Sequence, residues 1–298
     1  MLDRLAGNAA LKADLQTALR SGRLAHSILL VGEPGCGAGF AARCLAADFI
    51  YPQGGPHAEA VLRGQDTECL ELRGGGRSGQ IRVDDVRELR SRIQESALSV
   101  DAAGRALIFY DAQNLNASSG NALLKIIEEP PRDVLFLFAA SSAAAVLPTI
   151  RSRCAAYTMS PVPEQECAAR LPAESRDLAF LYEGHLGTCL RALSDPAVRK
   201  TLDDAGALCT CADRQDTYRA LTLLAGYEKE REAALELLWQ LQQLCSACMR
   251  RPGFGGLFSL HPGRPGAVSL AAGRARRAIT ANGSLRLALT VLGTELCH

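Results

Sequence analysis

An excess of charge of either sign is the first thing this sequence lacks. Its 298 residues carry 33 Lys and Arg against 32 Asp and Glu, a formal net of +1 at pH 7. No global field draws such a chain onto nucleic acid or an anionic membrane, so any contact of that kind has to be local. Lysine is scarce as well: 4 of the basic residues are Lys and 29 are Arg. With so many alanines beside them, the arginines reflect a compositional habit, and a lone Arg carries little weight. Long apolar runs are missing too. The opening MLDRLAGNAALKADL holds no uninterrupted apolar core with a small-residue cleavage site after it, so no secretory leader is expected and the mature protein is expected to start here. The longest apolar stretch, Val134 to Ile150, is broken by Ser141, Ser142, Pro148 and Thr149 and falls short of the roughly 20 residues a spanning helix needs. It reads as a buried strand followed by a short helix, and a cytoplasmic chain without membrane contact is expected. The 11 cysteines are scattered, odd in number and set in apolar runs. That argues against a disulfide framework and for small core residues in a reducing compartment.

What is present begins with length: 298 residues give two or three domains and ample core. Residues 1–161 alternate apolar runs of strand length with helical patterns, the signature of a parallel sheet covered by helices. The runs are Ser27–Val31, Glu68–Leu72, Ala106–Tyr110, Val134–Ala139 and Ala155–Met159, with helix-period stretches such as Val83–Gln94 and Ser118–Glu128 between them. Four of the five are nearly unbroken, as strands buried on both faces should be. At Pro161-Val162-Pro163 the character changes, and the rest reads as helices separated by Gly and Pro. Residues 162–194 form a small helical module, closed by Asp195-Pro196, which suits a helix start. Residues 195–298 hold a long helix over Glu228–Arg250. Its Ala234, Leu237, Leu238, Leu241, Leu244, Cys245 and Cys248 fall on one stripe. A Gly- and Pro-rich loop, Arg251–Pro265, and a terminal helix pair, Ser269–Thr280 and Ser284–Glu295, follow. The fold class is α/β followed by all-α.

After the first run comes Gly32-Glu33-Pro34-Gly35-Cys36-Gly37-Ala38-Gly39, opening a helical segment, which is the context of a nucleotide phosphate loop. In a working loop the last two positions are Lys and then Ser or Thr, because the ammonium neutralises phosphate charge and the hydroxyl holds magnesium. Here they are Ala38 and Gly39. Backbone amides at a helix start can still cradle an anion weakly, but these side chains supply neither neutralisation nor a metal ligand. A Gly-rich strand-to-helix turn with no nucleotide history is the plain alternative. Against it stands Leu107-Ile108-Phe109-Tyr110-Asp111, an apolar strand ending in a carboxylate, as such folds place a magnesium-coordinating Asp. The next residue, Ala112, cannot polarise a water as Glu would. A degenerate site comprising Gly32, Gly35, Gly37, Ala38, Gly39 and Asp111, weak or empty, is expected.

Two further stretches carry a family resemblance: Asn121-Ala122-Leu123-Leu124-Lys125-Ile126-Ile127-Glu128-Glu129-Pro130-Pro131, and Thr149-Ile150-Arg151-Ser152-Arg153-Cys154. With them the chain resembles bacterial clamp loader subunits of the AAA+ class. Within that family it is most similar to the delta-prime branch, whose members carry a degenerate phosphate loop and Asp-Ala in place of Asp-Glu. Spacing and order agree over residues 1 to about 193, and the C-terminal third agrees in length and helical character. The resemblance implies a RecA-like five-stranded parallel sheet with helices on both faces, a helical lid and a C-terminal helical collar. It implies a non-hydrolysing stator in a hetero-pentamer with gamma/tau ATPase subunits and a delta subunit, acting on a sliding clamp and primed DNA. It makes Arg153 an arginine finger supplied in trans to ATP on a neighbouring subunit, although an Arg before a buried strand also suits pairing with a helix carboxylate. In the segment matching the family's second sensor, Gly184-His185-Leu186-Gly187-Thr188-Cys189-Leu190, Gly187 stands where a γ-phosphate-sensing Arg would be, with Arg191 four positions on. At the first-sensor position, within Ala139–Ser142, only a hydroxyl is available. The family's four-cysteine zinc site has no counterpart, because Asp48 to Asp66 holds no Cys. No zinc is expected, and Cys245 and Cys248 read as core. Two other readings stay open: an active AAA+ ATPase of the clamp loader or recombination-factor type, and a DNA-binding protein. The second draws on Arg250, Arg251, Arg264, Arg274, Arg276, Arg277 and Arg286, which face Glu295 alone from Leu244 onward.

Overall fold

A computed structural model describes residues 1–75, 79–93, 100–251, 254, 261 and 263–297. Their contacts divide the chain into two compact units, Met1–Arg170 with Gly184–Gly187, and Leu171–Glu183 with Thr188–His298.

The first unit is built on five strands: β1 (Ser27–Val31), β2 (Cys69–Leu72), β3 (Arg105–Phe109), β4 (Val134–Ala140) and β5 (Ala155–Thr158). All pair in parallel, in the order β2-β3-β4-β1-β5. Parallel neighbours need long crossovers, and these contain α2 (Ala38–Ile50), α3 (Pro56–Arg63), α4 (Val83–Ile93), α5 (Ala117–Glu128) and α6 (Pro148–Arg151), with α1 (Ala9–Arg20) before β1 and α7 (Glu164–Ala169) after β5. The expected sheet, with helices on both faces, is what the chain forms. Strand alternation divides the core. Ile28, Leu30, Ala106, Ile108, Leu135 and Leu137 face α2, together with Tyr110 just beyond β3. Leu29, Leu107, Phe109, Phe136 and Phe138 face the side that carries α4 and α5, with Phe109 and Phe138 stacked at 4.9 Å. β5 differs from a doubly buried run: its side chains alternate between half-buried and exposed, because it pairs with β1 alone and forms the sheet edge. Gln94 lies outside the described residues.

Between α2 and β2, where the family's zinc cysteines would fall, the chain folds instead into α3. Tyr51 stacks on His57 at 5.4 Å and donates its hydroxyl to Asp66 at 3.0 Å. At the start of β3, Arg105 donates to the fully buried Glu68 at 2.8 Å and to the Arg92 carbonyl at 2.7 Å.

The described part of the second unit is all helical. It contains α8 (Asp177–Leu181), most of α9 (Leu186–Ser194), α10 (Pro196–Arg214), α11 (Thr217–Ala225), α12 (Arg231–Arg250), α13 (Pro265–Thr280) and α14 (Leu285–Leu296). Asp195 caps α10 by accepting from Ala197 N at 2.9 Å, with Pro196 as the first helical residue, where its missing N–H costs nothing. α12 packs against α8, α10 and α13, and buries Ala234, Leu237, Leu238, Leu241, Leu244 and Cys245. It begins at Arg231, not Glu228, because Tyr227 to Glu230 closes a turn. Cys248 is only partly buried, its thiol reaching the Phe254 carbonyl at 3.5 Å. Pro265 is the first residue of α13 and not the end of a loop; most of the preceding segment lies outside the described residues.

Candidate functional site

The phosphate-loop residues sit where β1 runs into α2. Gly35 and Gly37 hold φ of 94° and 90°, a left-handed conformation that glycine alone adopts without strain, and Gly37 is the residue before α2. A Cβ on Gly32 would stand 3.1 Å from the Met159 Cβ and 3.2 Å from the Cys36 Cβ, so close packing also holds that position to glycine. Gly32, Gly35, Gly37, Ala38, Gly39 and Asp111 all line one open cleft of about 500 Å³. Asp111, at φ 51°, lies at its margin and accepts from the Gln113 side-chain amide at 3.3 Å.

The structure brings other residues to this cleft that the loop pattern does not announce. Arg43, on α2, donates from Nε and Nη2 to the two Glu71 oxygens at 2.6 and 2.7 Å, and that hydrogen bonding raises its already high pKa. The Arg73 guanidinium carbon lies 3.6 Å from the centre of the Tyr110 ring. Tyr110 itself is 4% exposed, its hydroxyl buried beside Arg43 and Glu71. Burial pushes the phenol above its ordinary pKa, so it stays neutral. Burial likewise raises the Cys36 thiol beneath the loop.

Gly187 also lines the cleft. Its N–H donates to the Gly35 carbonyl at 2.9 Å, and a Cβ there would stand 3.0 Å from that oxygen. Two bonds flank this latch: His185 Nε2 lies 3.2 Å from Glu33 Oε2, and the Gly184 carbonyl accepts from Val162 N at 2.9 Å. A sensing arginine at 187 has no room without displacing the loop. Arg191 is turned to Glu236, at 2.7 Å.

Arg153 is not among the residues lining the cleft. It lies between α6 and β5, its side chain 36% exposed and paired with Glu128 at the end of α5. Nε donates to Glu128 at 2.8 Å, and Nη1 donates to the Thr149 carbonyl at 3.0 Å and to Ser152 Oγ at 3.3 Å. The pairing with a helix carboxylate is thus present in the chain on its own. α5 is fixed at its other end by a reciprocal cap between Asn116 and Ser119.

In the second unit the arginines are largely spoken for. Arg250 pairs with Glu183, Arg274 with Glu295 and Arg286 with Glu228, and Arg264 donates to the Ala212 carbonyl at 2.5 Å. Arg276 and Arg277 line a shallow cavity of about 510 Å³ with Gln242 and Thr280.

A parallel sheet with a glycine loop feeding a helix at the end of its first strand, and a carboxylate after the third, defines a AAA+ chain. Comparison narrows the class. Residues 7–163 match the family model described as "DNA polymerase III, delta subunit", and the chain belongs to that family of clamp loader subunits. It is 34% identical over 235 residues to DNA polymerase III subunit gamma/tau of Mycobacterium bovis, an alignment covering 73% of this chain and 39% of that protein. The chain therefore spans about two fifths of the length of such relatives. It is 28% identical over 258 residues to DNA polymerase III subunit delta' of Escherichia coli, covering 80% of this chain and 74% of that one. Among solved structures, a DNA polymerase III gamma subunit-related protein of Thermotoga maritima superimposes with a TM-score of 0.56 at 16% identity, covering 95% of this chain and 99% of the other. No helix among the described residues is long and apolar enough to cross a membrane.

Proposed function

We propose that the chain is a stator subunit of the delta-prime kind in a bacterial clamp loader, taking part in loading a sliding clamp on primed DNA without hydrolysing ATP itself. In this reading it joins gamma/tau ATPase subunits and a delta subunit in a hetero-pentamer through its helical C-terminal region, residues 195–298, with residues 162–194 acting as the lid. It needs no resident nucleotide or zinc. The observation that carries the reading is the contrast between the two ends of the first unit. The cleft lacks an ammonium at position 38, a hydroxyl at 39 and a carboxylate at 112, whereas Arg153 stands at the surface on a short hydrogen-bonded turn.

A guanidinium aimed at a neighbour's γ-phosphate offsets charge that builds in the transition state, and such fingers are worth roughly 10³–10⁵ in rate in related phosphoryl transfers. Glu128 and the Thr149 carbonyl hold Arg153 extended on its turn in the meantime. The pair with Glu128 keeps the Nε side of the guanidinium ordered while Nη1, held only by the Thr149 carbonyl and Ser152, turns to a neighbour's triphosphate. The competing reading, an active ATPase, asks for metal and phosphate ligands that the loop does not supply. The DNA-binding reading rests on Arg276 and Arg277, since most of the other C-terminal arginines are engaged within the chain.

Native mass measurement of the chain mixed with gamma/tau and delta subunits tests the proposal, together with an ATPase assay of the chain alone. One copy per complex and no turnover by the solitary chain are expected. Failure to enter the complex, or turnover by the chain alone, overturns the reading.

A further inference from the structure

The loop's missing side chains are one reason for a silent cleft; the core beneath it supplies another. Position 39 is where a working loop carries the hydroxyl that holds magnesium. A Cβ placed there would stand 2.8 Å from Tyr110 Cε1, closer than real Cβ atoms approach, and 3.1 Å from Cδ1. Gly39 has no positive φ, so the requirement for glycine is steric and comes from the ring. The ring is not a flexible tip that swings aside. Strand alternation aims Tyr110 at the first turn of α2, its backbone N–H is fixed to the Leu72 carbonyl at 2.9 Å, and it is 4% exposed. Arg73 covers its face at 3.6 Å, and Arg43, locked on Glu71, lies 5.8 Å from its centre.

We propose that Tyr110 is a specificity-determining residue of this cleft: it bars magnesium–nucleoside triphosphate by filling the space a residue larger than glycine at position 39 requires. Restoring the loop alone then does not restore the site. This deepens the reading of the chain as non-hydrolysing, and it can fail separately from it.

The test uses the full chain as wild type, as A38K/G39T and as A38K/G39T/Y110V, titrated calorimetrically with Mg·ATP up to about 1 mM. The triple variant is expected to bind at least about tenfold more tightly than the double, which stays near wild type. Binding by the double variant within threefold of the triple, or no binding by either, overturns the proposal. Should A38K/G39T fail to fold, a thermal cycle of G39A, Y110V and G39A/Y110V decides the same point. G39A is expected to lower the midpoint in the presence of Tyr110 and to leave it unchanged in Y110V, and equal shifts in both backgrounds overturn the proposal. If the R153A chain leaves loader ATPase activity unaltered, the stator reading falls and the Tyr110 claim stands; tight Mg·ATP binding by A38K/G39T has the converse effect.

Discussion

Substituting Glu128 by Ala removes the charged partner of Arg153 and leaves its bonds to Thr149 and Ser152 in place. The two side chains are 36% and 48% exposed, so the pair contributes about 0.2–1 kcal/mol to stability. A thermal midpoint shift of no more than about 3 °C follows for a unit of this size. What Glu128 supplies to the complex is order. A free Arg side chain carries about 2 kcal/mol of rotamer entropy, and losing the charged anchor releases a share of it, on the order of 1 kcal/mol. If Arg153 acts only in the transition state, that share lowers kcat by about fivefold. kcat and kcat/KM should fall together, because substrate binding is not what is lost. Glu128→Gln keeps an acceptor in place and should retain most of the rate. The assay is DNA-stimulated ATP hydrolysis by a reconstituted loader carrying each variant. An E128A loader with unchanged kcat refutes the positioning role. A midpoint drop beyond about 10 °C shows instead that the pair holds the fold.

Glu68→Ala removes the charged partner of the buried Arg105 guanidinium and should cost about 3–5 kcal/mol in thermal or urea unfolding, whereas the apolar pair E68L/R105M should recover most of that loss; a cost under about 1 kcal/mol contradicts the burial argument. Burial pushes the thiols of Cys44, Cys69 and Cys154 up to about 12 from 9.0. The folded chain therefore keeps protons that the unfolded chain loses. That contribution is complete below pH 9.0 and is lost as pH rises toward 12, at about 1.4 kcal/mol per pH unit per thiol. The melting temperature should be flat near neutrality and fall above about pH 9, less steeply in C44A. Ellman's reagent should react quickly with at most Cys154 and Cys248 in the native chain, since the other cysteines are buried; rapid reaction of several more would show an open core.

The sheet was legible because its strands are buried on both faces and so stand out as apolar runs. Helix starts were legible where a cap writes itself in the sequence, as at Asp195-Pro196. β5 was less so, since an edge strand buries half of its side chains and loses the continuous apolar signal. The loop glycines and Asp111 could be placed by spacing along the chain. Their neighbours could not, because those meet across folds of the sheet: Arg43 finds Glu71 over 28 positions and Arg153 finds Glu128 over 25. Tyr110 was in view as the residue before Asp111, yet its role depends on which face of β3 meets α2. The period-2 alternation from Ala106 carried that information once the register of the sheet was known. Segment 162–194 reads as one module in sequence; by contacts, residues 162–170 and 184–187 group with the first unit and 171–183 and 188–194 with the second. The Gly187 bond to Gly35 draws the chain back to the phosphate loop at that point.

Loaders reconstituted with wild-type, R153K and R153A chains, compared for DNA-stimulated ATP hydrolysis at saturating ATP, test the central claim most directly. A loss of at least about a hundredfold in R153A at the site it serves is expected, with only partial recovery in R153K because the planar fork is gone and the charge remains, and with complex mass unchanged. An R153A loader that hydrolyses ATP at the wild-type rate contradicts the account.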